Sequence, residues 1–313
     1  IRGTNNLSSS GTELRNGTLV LDYQNGTDAL KLGNNSLNMR GATLRIEGNG
    51  SENETINLSN LNVKENNNRK GANNIEIVSH GNDVTLNLGS IDNIGSDMPM
   101  HFLEVENGAG SITINTTTGN QGISGTLSDA RNFFYNKTNW AEVDGSGNVQ
   151  AFTGLVSASS SNSTGNPGAV DFENAPTDSL IDVEESMTVD KSERVLGLRF
   201  KQASTTTLTL ASNLDIDANT AILVTKNAGA VNIDGAALDP NFGNNMITVA
   251  NYSSNDLTIN SRVSVFTQNG VLKTGSGRLV LTNDSNRFES RGLNIYEGTV
   301  AVDSVSDSSA ASS

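Results

Sequence analysis

The chain has no cysteine, so a disulfide framework, a thiolate metal site and a cysteine nucleophile are all excluded. Its stability must come from packing and backbone hydrogen bonds. Proline is scarce, at 4 residues in 313, which rules out collagen and proline-rich rods, while glycine, at 31, is ordinary for the length. Aromatic side chains amount to 4% and include one tryptophan. No apolar run approaches the roughly 18 residues that span a bilayer, and no membrane insertion is expected. Basic runs are missing too: Lys+Arg 20 against Asp+Glu 34 gives a net charge of −14, which argues against nucleic acid and anionic membrane surfaces as partners. The chain opens Ile1-Arg2-Gly3, with neither methionine nor a signal-like segment, and reads as a processed product or an excised part of a longer protein.

What the chain does have is alternation. Thr18-Leu19-Val20-Leu21-Asp22, Ser36-Leu37-Asn38-Met39, Ala42-Thr43-Leu44-Arg45-Ile46, Asn74-Ile75-Glu76-Ile77, Val84-Thr85-Leu86-Asn87-Leu88 and Ser111-Ile112-Thr113-Ile114 each set apolar residues on one face of a strand. Asn16-Gly17, Asn25-Gly26, Gly33-Asn34-Asn35, Gly48-Asn49-Gly50 and Gly81-Asn82-Asp83 lie between them, residues that accept positive φ and turn the chain sharply. Short strands recurring with turn signals between them predict an all-β fold. The inward residues are mostly aliphatic and the turns rich in asparagine, which can form ladders from coil to coil. This favours a β-solenoid, with a β-sandwich as runner-up.

The composition shifts near the middle, where Ser157-Ala158-Ser159-Ser160-Ser161-Asn162-Ser163-Thr164-Gly165-Asn166-Pro167-Gly168 has no apolar period. Alternation resumes in Leu196-Gly197-Leu198-Arg199-Phe200, Thr207-Leu208-Thr209-Leu210, Ala221-Ile222-Leu223-Val224, Val231-Asn232-Ile233, Leu257-Thr258-Ile259 and Leu279-Val280-Leu281. The expected organisation is a first β-helical segment at 1–155, a Ser/Gly/Asn-rich linker or long loop at 156–178, a second β-helical segment at 179–303 and a flexible tail at 304–313.

Gly270-Val271-Leu272-Lys273-Thr274-Gly275-Ser276-Gly277-Arg278-Leu279-Val280-Leu281-Thr282-Asn283, followed by Gly292-Leu293-Asn294-Ile295-Tyr296-Glu297-Gly298-Thr299-Val300-Ala301-Val302, resembles the passenger-associated β-strand repeat of bacterial autotransporters. The segment Asn286-Arg287-Phe288-Glu289-Ser290-Arg291-Gly292 departs from that pattern, which usually has a Tyr-Thr-Gly-Gly turn there. The resemblance implies a right-handed parallel β-helix (β-solenoid) exposed on, or released from, the cell surface.

Catalytic and cofactor-binding residues are expected to be none. The two histidines, His80 and His101, accompany no nucleophile elbow and read as incidental. No metal residues are expected either: Asp182-Val183-Glu184-Glu185 reads as a solvated acidic loop, and Asp215-Ile216-Asp217 as outward carboxylates of one strand. Trp140, in the densest aromatic cluster, reads as local core in preference to a sugar platform. Asn-x-Ser/Thr triplets, among them Asn16-Gly17-Thr18 and Asn251-Tyr252-Ser253, occur as composition dictates. The function expected is that of a non-catalytic structural or adhesive surface protein, extracellular or at the cell surface. Its partners would be a second copy joined through terminal strands, or a cell-surface or matrix glycan or protein. The alternative is a polysaccharide-binding or polysaccharide-cleaving β-helix.

Overall fold

The computed structural model describes residues 11–24, 32, 35–63, 71–92, 98–106, 108–121, 125–128, 132–159, 170–190, 194–239, 246–265, 270–288 and 292–303. The tail at 304–313, Ile1 and much of the serine-rich stretch lie outside them. The fold is almost all β, with 54% strand and about nine turns of solenoid. It divides into two compact units, Ile1–Thr153 and Gly154–Ser313. Val156–Ser159 and Val170–Asp171 pair in parallel with each other, and Val156–Ser159 also pairs with Leu180–Val183 in the second unit.

The first unit stacks three parallel sheets. One holds Thr12–Arg15, Ser36–Arg40, Asn60–Asn62 and Ser90–Asp92. The second holds Thr18–Asp22, Thr43–Glu47, Asn73–Val78, Met100–Val105 and Phe133–Tyr135, and the third Glu54–Asn57, Val84–Asn87 and Ile112–Asn115. Because each coil pairs with the next in parallel register, like residues stack: Leu37, Leu61 and Ile91 form one inward column, Leu44, Ile75 and Phe102 another, and Ile56, Leu86 and Ile114 a third. All are buried to within a few per cent. Alternation survives in parallel sheets, which are usually buried on both sides, because here many outward side chains keep some contact with solvent.

Turns stack as tightly as strands. Gly89 sits at φ +64, and a Cβ there would lie 2.0 Å from the Ser59 carbonyl oxygen, so only glycine lets this turn nest on the one before it.

Parallel addition stops at the aromatic cluster. Phe133–Tyr135 still pairs in parallel with Met100–Val105, but Asn139–Val143 and Val149–Ala151 follow antiparallel. Asn136 and Lys137, at φ 51 and 58, reverse the chain between them. Phe133 packs edge-on to Phe102, with ring centroids 6.1 Å apart, and Trp140 and Phe134 are completely buried.

The second unit repeats the scheme. Leu180–Val183, Arg194–Phe200, Leu214–Val224, Met246–Asn251, Gly270–Thr274 and Gly292–Ile295 add one to the next in parallel in its largest sheet. Met187–Val189, Thr206–Leu210, Val231–Gly235, Leu257–Ile259, Arg278–Leu281 and Thr299–Val302 form the facing sheet, also parallel. These parallel ladders match the solenoid expectation and exclude the sandwich, whose sheets are antiparallel. Met246–Asn251 and Gly270–Thr274 are buried on both faces.

Trp140→Ala is expected to lower the thermal midpoint of the first unit, with a cost on the order of 3–5 kcal/mol, because the ring is wholly enclosed. Thermal unfolding followed by circular dichroism reads this directly, and an unchanged midpoint would contradict the packing role.

Candidate interaction surfaces

The most regular outward features are polar columns. In the third sheet of the first unit, Thr55, Thr85 and Thr113 stand in one row and Asn57, Asn87 and Asn115 in the row beside it. The Asn87 amide donates to the Asn57 Oδ1 at 2.7 Å, and the Asn115 amide to the Asn87 Oδ1 at 3.0 Å. This is an asparagine ladder, but it forms at strand ends and not among the turn asparagines where the sequence suggested one, because register there holds the amides close to the coil spacing of about 4.8 Å. At the adjoining turn, Asp83 accepts the Ser111 backbone N–H at 2.9 Å and its hydroxyl at 2.8 Å. These bonds hold the Asp83 carboxyl below its ordinary value.

A second polar face lies on the facing sheet of the other unit. Thr207, Asn232 and Thr258 follow one another in register, as do Thr188, Thr209 and Asp234. Beyond them the Asn260 amide donates to Asp234 Oδ1, and the Thr282 hydroxyl to Asn260 Oδ1. Hydroxyls and amides spaced in this way offer repeated weak donors and acceptors, with no activated nucleophile among them.

The acidic stretch at Asp182 departs from expectation. Asp182 lies in the strand Leu180–Val183 and is 2% exposed, not in a solvated loop. Arg199, its in-register partner, donates to both carboxylate oxygens at 2.9 and 2.7 Å, and Lys201 bridges Asp182 and Glu184 at 2.6 and 3.0 Å. Burial alone would raise the Asp182 carboxyl, but Arg199 and Lys201 outweigh it and hold it below the usual carboxylate range. Ser157 and Gln202 donate to Glu184, both at 2.9 Å. Every cation in this network already faces a carboxylate, so the cluster is a structural ion network. Asp215 and Asp217 both fall in the strand Leu214–Val224, with Asp215 in register with Arg194, and the direction of their side chains lies outside what is described.

The histidines stand in separate settings. His80, at φ 52 in a turn, has Nε2 2.6 Å from Glu47 Oε2 and 2.6 Å from Gln24 Nε2. His101 is 1% exposed, with Nδ1 2.7 Å from Asn74 Oδ1 and its ring 5.7 Å from Phe134. Among the described residues no group of three His, Asp or Glu side chains is arranged to hold a metal ion. No helix there is long and apolar enough to cross a membrane. The Asn251 side chain, part of a sequence triplet that glycosylation would need, is buried and donates to the Arg278 carbonyl at 2.9 Å.

One charge escaped the sequence reading. Lys273 lies on the inward column of Ile181, Leu198, Ile222 and Val249 and is fully buried. Burial lowers its ammonium from the ordinary 10.5 to about 8, against the pull of Glu297. The signal for it was parity: Lys273 shares the strand face of Val271.

Among known proteins, the chain is 25% identical over 303 residues to the Adhesin BmaC autotransporter of Brucella suis biovar 1 (strain 1330). The match covers 93% of this chain and 8% of that protein, so the chain spans a small part of the relative's length. No protein-family model and no solved structure matches the chain. The match and the parallel solenoid together bear out the resemblance to autotransporter passengers read from Gly270 to Val302.

The lowered Lys273 value fixes the sign of a pH effect. The unfolded chain holds this proton more tightly than the folded one, so the cost of burying the ammonium is full below about pH 8 and is relieved as pH rises. The thermal midpoint of the second unit is therefore expected to climb between about pH 8 and 9.5, below the range where tyrosines of the unfolded chain ionise. Lys273→Met should flatten that climb, and the same climb in the variant would contradict the assignment.

Proposed function

We propose that this chain is a non-catalytic adhesive segment of a surface-exposed or secreted protein, a stiff solenoid that presents polar columns to a glycan or protein surface. The observation that carries the reading is the outward threonine and asparagine rows, repeated coil after coil and built from groups that bind without turnover. Similarity to a protein named an adhesin supports the same class. Each rung adds a small hydrogen-bonding increment, so affinity arises from many rungs engaged together. A net charge of −14 favours neutral or cationic partners over acidic ones.

The purified chain is expected to bind a subset of immobilised matrix glycans, matrix proteins or cells without releasing soluble sugar. Thr85→Lys with Asn87→Lys, on the outward face and away from the core, should reduce binding roughly tenfold with an unchanged circular dichroism spectrum. Unchanged binding would remove the columns from the reading, and sugar release would favour the polysaccharide-cleaving alternative.

A second reading, head-to-tail assembly into a filament, is favoured by the last described coil. Its strands Gly292–Ile295 and Thr299–Val302 carry no charged residue, and Ile295 and Val302 remain 50% and 43% exposed. Uncharged strands offer templates for pairing, because charge is the usual guard against it. Under electron microscopy in dilute buffer, filaments many times longer than one chain would support assembly. Separate particles at all concentrations would reject it.

A further inference from the structure

The last described coil is held by fewer buried apolar groups than the coils before it. Val249 and Leu257 are 2% and 0% exposed, whereas Ile295 and Val302 are half exposed and Phe288, Leu293 and Val300 are only partly buried.

A polar network spans the same junction. The Lys273 ammonium donates to the carbonyls of Thr274 and Gly275, both at 2.6 Å, and across to the Glu297 carbonyl at 3.2 Å. In return, Glu297 Oε2 accepts the Thr274 hydroxyl at 3.0 Å and the Gly275 N–H at 2.9 Å. Gly298, at φ +76, allows this approach, since a Cβ there would lie 2.4 Å from the Gly275 oxygen and 2.8 Å from Lys273 Nζ. Lys273 and Glu297 thus clasp each other's turns, one from the core side through its ammonium and the other through its carboxylate.

We propose that Lys273 and Glu297 form a latch that closes the coil Gly292–Val302 onto the coil Gly270–Leu281, and that this coil opens as a unit before those preceding it. The cause is a difference of kind. The coils before it are held mainly by buried aliphatic columns, whereas the apolar groups of this coil are half-exposed or only partly buried and polar bonds from the latch cross the junction. Opening bares the pairing edges of Gly270–Thr274 and Arg278–Leu281, so the latch sets whether the second unit presents a finished coil or one that accepts a strand.

Native-state hydrogen exchange on the full chain, read by mass spectrometry, tests this. Residues 292–302 should exchange faster than 246–259. Glu297→Ala should speed the first segment roughly tenfold, the effect of losing one or two buried hydrogen bonds, and leave the second unchanged. Glu297→Gln keeps an acceptor for Thr274 and Gly275 and should stay within roughly threefold of the parent. Asp284→Ala, an exposed carboxylate outside the network, should have no effect. If Glu297→Ala fails to fold, Thr274→Val removes a single donor and should speed exchange within 292–302 alone, by roughly fivefold. No change in 292–302, equal acceleration of both segments, or the same effect from Asp284→Ala would each overturn the latch.

Discussion

Outside the antiparallel strands Asn139–Val143 and Val149–Ala151, the fold depends on parallel pairing of one coil with the next. Once Leu44 is fixed beside Ile75 and Ile75 beside Phe102, every other residue of those strands also has its neighbour chosen. A column is then only as stable as its least compatible member. Aliphatic columns gain by exclusion of water, asparagine columns by amide-to-amide bonds, and glycine turns by close approach of backbones. Register is strongly specified because a slip of one residue would turn each aliphatic column outward.

That constraint explains which features could be read from the sequence. Alternation in Val84-Thr85-Leu86-Asn87 and its neighbours determines which side chains are inside, and the recurrence of short strands determines the repeat, so the solenoid was legible. Trp140 was legible as core because so large a ring in an aromatic cluster has few other stable places. The reversal after Tyr135 was not, since alternation says which face is buried and nothing about strand direction. Asp182 was misread for a related reason. Its partner, Arg199, lies 17 residues on, at a distance that only the register reveals.

The candidate surfaces divide along the same line. The threonine and asparagine rows were foreseeable in kind, because polar residues at alternate positions must face outward. Their alignment into columns required knowing that in this sheet the coils lengthen and shorten in the turns, not in the strands. Asn57 and Asn87 are 30 residues apart and Asn87 and Asn115 only 28, yet both pairs bond. Here the turns absorb the variation that would otherwise break the columns, and nested glycines such as Gly89 mark where they can least afford a side chain, whereas in the second unit the strand Leu214–Val224 takes up a register shift itself.

Charge enters the stacked strands only on the terms that the columns set. On one face of the large sheet, Asp182 is tolerated because the next residue of its own column is an arginine that can fork both oxygens. On the other face, Lys273 has aliphatic Val249 on one side and Ile295 on the other, so no counter-ion is available within the column. Its ammonium instead turns along the strand to the carbonyls of the glycine-rich turn, where Gly275 and Gly298 let two coils approach closely. A carboxylate at position 273 could not use that nest, because carbonyl oxygens repel it. The sign of the buried charge is thus dictated by the backbone that surrounds it, and a lysine at this point makes an otherwise ordinary turn the place where two coils are fastened together.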